Sequence, residues 1–200
     1  MATTINADTV TGGAIVTGDA SGVLELQAAG VTKLTVNSSG VTGTNLPALN
    51  AANTFTGTQT FSGTSSAQAI VLNDAAEVAT ISATAATGTI NYDITTQSVL
   101  YYTSNASANW TVNFRGSSGT SLNTLMSTGQ SMTAAFLVTQ GATAYYNSAV
   151  QVDGSSVTPK YQGGTAPTSG NANSIDAYTY TIIKTGNAAF TVFAAQTKFA

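Results

Sequence analysis

The stretch Asn53–Gly63, N-T-F-T-G-T-Q-T-F-S-G, divides this chain into two textures. It carries one phrase twice, Phe55-Thr56-Gly57 and Phe61-Ser62-Gly63, six residues apart. Side chains of an extended strand alternate sides, so an even spacing sets both phenylalanines on one face. The Thr and Gln residues between them suit a strand but supply little core. Gly57 and Gly63 permit a positive φ or the close approach of a second backbone. A single chain offers nothing here against which to bury two large apolar groups, whereas identical strands from sister copies would. Phe55, Gly57, Phe61 and Gly63 are therefore the expected assembly residues. All eight Tyr and the single Trp follow this stretch.

Upstream, residues 1–52 read as short extended segments punctuated by glycine. Val23-Leu24-Glu25-Leu26 and Val31-Thr32-Lys33-Leu34-Thr35-Val36 are separated by Ala28-Ala29-Gly30, and Asn37-Ser38-Ser39-Gly40 is a turn signal. The alternation in Val31-x-x-Leu34-x-Val36 is broken by one residue, so the β-branched content carries the strand assignment. Asn45–Asn50, with Pro47, reads as a linker or a helical turn. About fifteen large apolar side chains up to Ser66 are too few to offset the ordering entropy of that many residues. Residues 1–66 are accordingly expected to be an extended anchoring and trimerisation segment, ordered by copies of itself or by a docking surface.

Downstream, residues 67–200 read as a globular all-β domain. Ala69–Leu72, Glu77–Ile81, Thr89–Ile94, Ser98–Tyr102 and Trp110–Phe114 form a series of short strands. Ile90, Tyr92 and Ile94 share one face, as do Trp110, Val112 and Phe114. Ser121–Met126 has the apolar spacing of a short helix, with Gly129 beyond it as a stop. Longer strands follow at Met132–Thr139, Ala144–Val152, Val157–Tyr161, Ile175–Lys184 and Ala189–Thr197, with turns at Asp153-Gly154 and Gly186-Asn187. Phe190–Phe193 reads as buried on both faces. Nine or ten strands and one brief helix imply a β-sandwich of jelly-roll type.

Composition removes several chemistries. The chain has no Cys and no His, which excludes disulfides, thiol chemistry, zinc fingers and His-based acid–base catalysis. Its five Lys and Arg are scattered and the net charge is −3, so phosphate neutralisation on nucleic acid is rejected. The strongest apolar run, Ala134–Val138, is too short to span a bilayer. Met1–Thr4 has none of the features of a signal peptide. Asp74, Glu77, Asp93, Asp153 and Asp176 are the candidates for a paired-carboxylate glycosidase. Asp74 and Glu77 flank a turn, and Asp153-Gly154 is ordinary turn chemistry. No dinucleotide, phosphate-loop or calcium-loop motif is present. No catalytic residue, cofactor or metal is expected.

Binding is the remaining chemistry. Sugar rings stack on aromatic faces, and Tyr101-Tyr102 and Tyr145-Tyr146 each set one ring on either side of a strand. Tyr101, Tyr146 and Tyr161 are the candidate ligand contacts. The competing reading makes them core or inter-subunit tyrosines with satisfied hydroxyls.

The N-T-F-T-G-T-Q-T-F-S-G phrase resembles the repeat phrase of tail-fibre and related virion appendage proteins of bacteriophages. Ala2-Thr3-Thr4-Ile5-Asn6-Ala7, followed by Gly22-Val23-Leu24-Glu25-Leu26-Gln27, resembles the start of many such proteins from marine and cyanobacterial phages. The aromatic C-terminal part resembles their terminal domains more loosely. The resemblance implies a homotrimeric, β-rich structural protein of a virion, made in the host cytoplasm and released by lysis. Its partners would be itself, other tail or capsid proteins and a host-surface glycan. A capsid decoration or head-fibre protein, a glycan- or receptor-binding module and a bacterial adhesin are the alternatives.

Overall fold

The structure, a computed structural model, describes residues 21–38, 40–43 and 54–199. The sequence readings over 1–20 and 44–53 lie outside the described residues. The chain divides into two compact units, Met1–Val71 and Leu72–Ala200. Its described part is all-β, with several sheets and one single-turn α-helix.

In the first unit, β1 (Leu24–Ala28), β2 (Val31–Asn37) and β3 (Gly40–Gly43) form an antiparallel sheet in chain order. The β1–β2 turn is Ala29-Gly30, both at positive φ, the geometry that matches the twist of a two-residue hairpin. Register explains the broken alternation in β2. Leu26 opposes Leu34 and Gln27 opposes Thr32, which leaves Lys33 as the extra residue of a β-bulge. The bulge returns Val31 to the face that holds Leu34 and Val36.

Residues 54–63 form no strand, and Gly57 lies at a bend. This corrects the strand expected there. The Thr/Gln/Gly backbone has no strand of its own chain to pair with, and Phe55 and Phe61 are 52% and 59% exposed. Gly63 does meet a second backbone, that of its own chain. A Cβ at this position would stand 2.7 Å from the Ala67 carbonyl oxygen, inside the Thr64–Ala67 turn. Ala69–Leu72 is not a strand either. Ile70, Val71 and Leu72 are exposed, and the apolar run finds no neighbour to pair with.

The second unit has two sheets. The first six strands are β4 (Ala79–Ala85), β5 (Gly88–Asp93), β6 (Val99–Ser104), β7 (Trp110–Arg115), β8 (Ser131–Thr139) and β9 (Asn147–Val152). They alternate between the sheets, so that β4, β6 and β8 run parallel in one and β5, β7 and β9 parallel in the other. Alternation in sequence specifies which face is buried. It does not specify the direction of the neighbouring strand, which here is parallel where a jelly roll has antiparallel neighbours. β10 (Ser155–Val157) turns back on β9 through Asp153-Gly154, both at positive φ. β12 (Ile175–Gly186) and β13 (Ala189–Phe199) form a long hairpin beside β8, and the short β11 (Lys160–Tyr161) pairs with the outer side of β13. The sheet orders are β10-β9-β7-β5 and β11-β13-β12-β8-β6-β4.

One hydrophobic cluster draws side chains from both sheets. Phe136 on β8 meets Trp110 at 6.1 Å and Tyr92 at 6.5 Å across the gap, both edge-on, as well as Tyr102 at 5.1 Å in its own sheet. Trp110 also meets Tyr178 at 5.5 Å, and Phe114 meets Tyr180 at 4.9 Å. Edge-to-face pairs of this kind add stabilisation beyond the area they bury. The buried hydroxyls are satisfied: Tyr92 donates to the Ser98 carbonyl at 2.6 Å and Tyr180 to Asn147 Oδ1 at 3.0 Å. Phe193 corrects the expectation of burial on both faces. β13 turns Val192 and Ala194 inward, and only the two-residue β11 lies beyond it, so Phe193 is 45% exposed.

The helix α1 (Leu122–Leu125) is too short to stand alone and is held at both ends. Asp153 accepts from the backbone N–H of Leu122 and of Asn123, and the buried Lys184 donates from Nζ to the carbonyls of Asn123 and Met126. Asp153 is thus more than the turn acid its sequence context implies.

Two substitutions test this packing by chemical denaturation. Phe136→Ala should cost about 3–5 kcal/mol, whereas Ile81→Ala on the outer surface should stay within about 0.5 kcal/mol. Asp153→Ala should cost about 2 kcal/mol by stranding two N–H groups. Asp153→Asn, which tolerates positive φ and keeps one acceptor oxygen, should cost less.

Candidate interaction surfaces

Three of the five candidate acids have separate partners. Asp93 forms an ion pair with Arg115 on the adjacent β7, and Asp153 caps α1. Glu77 accepts from the Ser98 hydroxyl at 2.6 Å. Asp74 is exposed in the segment before β4. Among the described residues no group of three or more His, Cys, Asp or Glu is arranged to hold a metal ion.

Asp176 is the exception in its burial. Its side chain, at the start of β12, is fully buried. Oδ2 accepts from Gln140 Nε2 at 3.0 Å and from the Asn171 N–H at 3.1 Å, while Oδ1 has no hydrogen-bond partner. Gln140 bridges onward to the backbone of Tyr145. Gly170 is required beside this cluster, since a Cβ there would stand 2.7 Å from Asp176 Oδ2. Burial raises the Asp176 pKa above the ordinary carboxylate range, and the Asn171 N–H, Gln140, the Lys198 charge and Gln196 offset only part of that rise. A shallow cavity of about 380 Å³ adjoins the cluster, lined by Asn105, Gln140, Asn173 and Phe199 among others. Sequence reading treated Asp176 only as one of five acids, because its surroundings combine the loop just before β12 with Gln140, thirty-six positions away.

The candidate ligand tyrosines are not brought together. Tyr101 lies on the outward side of β6, opposite Leu137 of β8, and Thr139 donates weakly to its hydroxyl at 3.4 Å. Tyr102 packs inward on Phe136. Tyr146 leads into β9 of the other sheet, its N–H bonded to Asn109, and Tyr145 packs against the core. Tyr161 sits on β11, half-buried against the core. β6 and β11 are four strand spacings apart, about 19 Å.

The first unit carries an open apolar surface. No described residue before Ala86 is buried. On the three-stranded sheet, Leu24 opposes Val36, which opposes Val41, and Leu26 opposes Leu34. These side chains share one face. The other face carries Glu25, Gln27 and Thr32, joined by hydrogen bonds at 3.1–3.3 Å. No family model, curated protein or solved structure matches the chain.

The Asp176 pKa shift has a definite sign. A carboxyl raised in the folded state binds its proton more tightly there than in the unfolded chain. Its contribution to stability is complete below the unfolded value of about 3.9 and is lost as pH rises through the folded value. Asp176→Asn mimics the protonated form. Denaturation midpoints should show the variant gaining on the parent chain as pH rises from 3 to 7; a pH-independent difference would contradict this.

Proposed function

We propose that this chain is a non-enzymatic structural protein of a bacteriophage particle, a homotrimeric tail fibre or tail appendage. Its second unit would be a β-sandwich head in which parallel winding replaces jelly-roll connectivity. Residues 1–66 would anchor and intertwine, and residues 67–200 would project or contact neighbouring virion proteins. The observation that carries this reading is the absence of any buried side chain among the described residues before Ala86, although Leu24, Leu26, Phe55, Phe61, Ile70 and Val71 are all present to be buried. Such a segment reaches a defined structure by packing on copies of itself or on a larger body.

The surface chemistry agrees. Charged residues make up 6% of the chain, so its contacts depend little on ionic strength, which suits a particle that works outside a cell. The resemblance of Asn53–Gly63 to appendage repeats supports this reading of the particle. Virion membership and attachment are tested together. Light scattering on the purified chain should give about 60 kDa, three times 20.1 kDa, and antibody labelling of purified particles should place it on the tail. A stable 20.1 kDa species, or label confined to the capsid, would contradict the tail-appendage reading.

A further inference from the structure

The strands β4 to β9 wind as a coil, one strand in each sheet per turn, and the coil is finished at one end only. There the antiparallel β10 and the β12–β13 hairpin follow its last turn. At the other end β5 closes the four-stranded sheet, and no described strand pairs with its free side. An open edge presents unpaired N–H and C=O groups. β5, reading G-T-I-N-Y-D, lacks the lysine or proline that guards such an edge. Its one acid, Asp93, is paired with Arg115.

We infer that residues 68–73 of the same chain, Q-A-I-V-L-N, dock on this edge as a strand parallel to β5, and that the open form described above is the undocked state. The spacing of the chain selects this segment. Residues 94–98 make the corner between β5 and β6, and residues 74–78, a corner of equal length, lead into β4. The two corners already lie side by side. The Ser98 hydroxyl donates to Glu77 at 2.6 Å, and the Thr80 hydroxyl donates to Gln97 Oε1 at 3.0 Å. Continued upstream, the same correspondence sets Asn73 opposite Asp93, Leu72 opposite Tyr92 and Ile70 opposite Ile90. The side chains then agree as well. Ile90 and Tyr92 begin two buried rows, Ile90-Val112-Val150 and Tyr92-Phe114-Val152. Ile70 and Leu72 would each extend one row inward, while Ala69 and Val71 face outward. Undocked, Ile70, Val71 and Leu72 are 51%, 74% and 64% exposed. The segment carries no charge, so docking buries none. The three-stranded sheet, Phe55 and Phe61 are left for the proposed self-assembly, which this docking neither requires nor replaces.

The absence of cysteine makes the test direct. In the full-length protein, Ala69→Cys/Thr89→Cys sets two thiols on neighbouring strands of the docked form, and a reagent of about 5 Å reach, the strand spacing, should bridge them. Ala69→Cys/Thr133→Cys, with its second thiol on β8 of the six-stranded sheet, is the control. A bridge within one chain at 69 and 89, with little at 69 and 133, is the expected result. Bridges only between chains would assign the segment to a sister copy and overturn docking on its own chain. No bridge, or equal yields in both variants, would overturn the docking itself. The second measurement is amide hydrogen exchange. Protection at Val71 should exceed that in Ile70→Asp/Leu72→Asp by about tenfold or more, and the variant should also lose protection along β5 while Trp110–Arg115 keeps it. Equal protection of Val71 and β5 in the two proteins would overturn the inference. A monomeric parent chain that passes both tests would contradict the proposed self-assembly and leave this docking standing.

Discussion

The second unit closes around one ring. Phe136 stands near the middle of the six-stranded sheet and touches aromatic side chains of both sheets, Trp110 and Tyr92 on one and Tyr102 on its own. Each step of the chain between the sheets adds a strand whose inward residues extend this cluster. The cost of the arrangement is polar: tyrosine hydroxyls and Asn147 are carried into the core. They are accepted because they bond to one another and to strand backbones. Burial drives the Tyr92, Tyr178 and Tyr180 hydroxyls far above their ordinary range, so these groups stay protonated; Tyr92 and Tyr180 act as donors, while Tyr178 accepts from the Asn147 N–H and Gln196 Nε2.

The first unit has the same kind of strands and no such centre. Its β-branched and aliphatic residues form a sheet with a polar side and an apolar side, and the apolar side is open. The two units differ in what they can bury, and this follows from where the large residues lie: all Tyr and the Trp belong to the second unit. A core needs large side chains converging from two layers, and only one layer is described before Val71. The proposed role in an assembled particle rests on that difference.

Much of the second unit was legible in the sequence because period two is a strong signal. Trp110-x-Val112-x-Phe114 and Tyr178-x-Tyr180-x-Ile182 bury as their alternation predicts, and Ser121–Met126 contains the one α-helix among the described residues. Three things were not legible. The parallel pairing of β4 to β9 depends on long-range connections, which alternation does not encode. The exposure of Phe193 depends on which face of β13 meets the core, and Val192 and Ala194 take that face. The clamp of Asp153 and Lys184 on α1 joins residues thirty and more positions apart. In the first unit the irregular Val31-x-x-Leu34 spacing looked like a weak strand and is the trace of a bulge that keeps the apolar face continuous. Of the assembly residues, Gly63 is explained by its own chain's turn, while Phe55 and Phe61 remain open to a partner. The tyrosines proposed for a ligand are spread over two sheets and form no common site.

The central claim is that the front of the chain is completed by other molecules of itself. Amide hydrogen exchange at Leu24–Val41, followed while the protein is diluted, tests it most directly. Protection there should fall with concentration while Trp110–Arg115 stays protected throughout. Protection of Leu24–Val41 that persists unchanged in a dilute, monomeric chain would contradict the account.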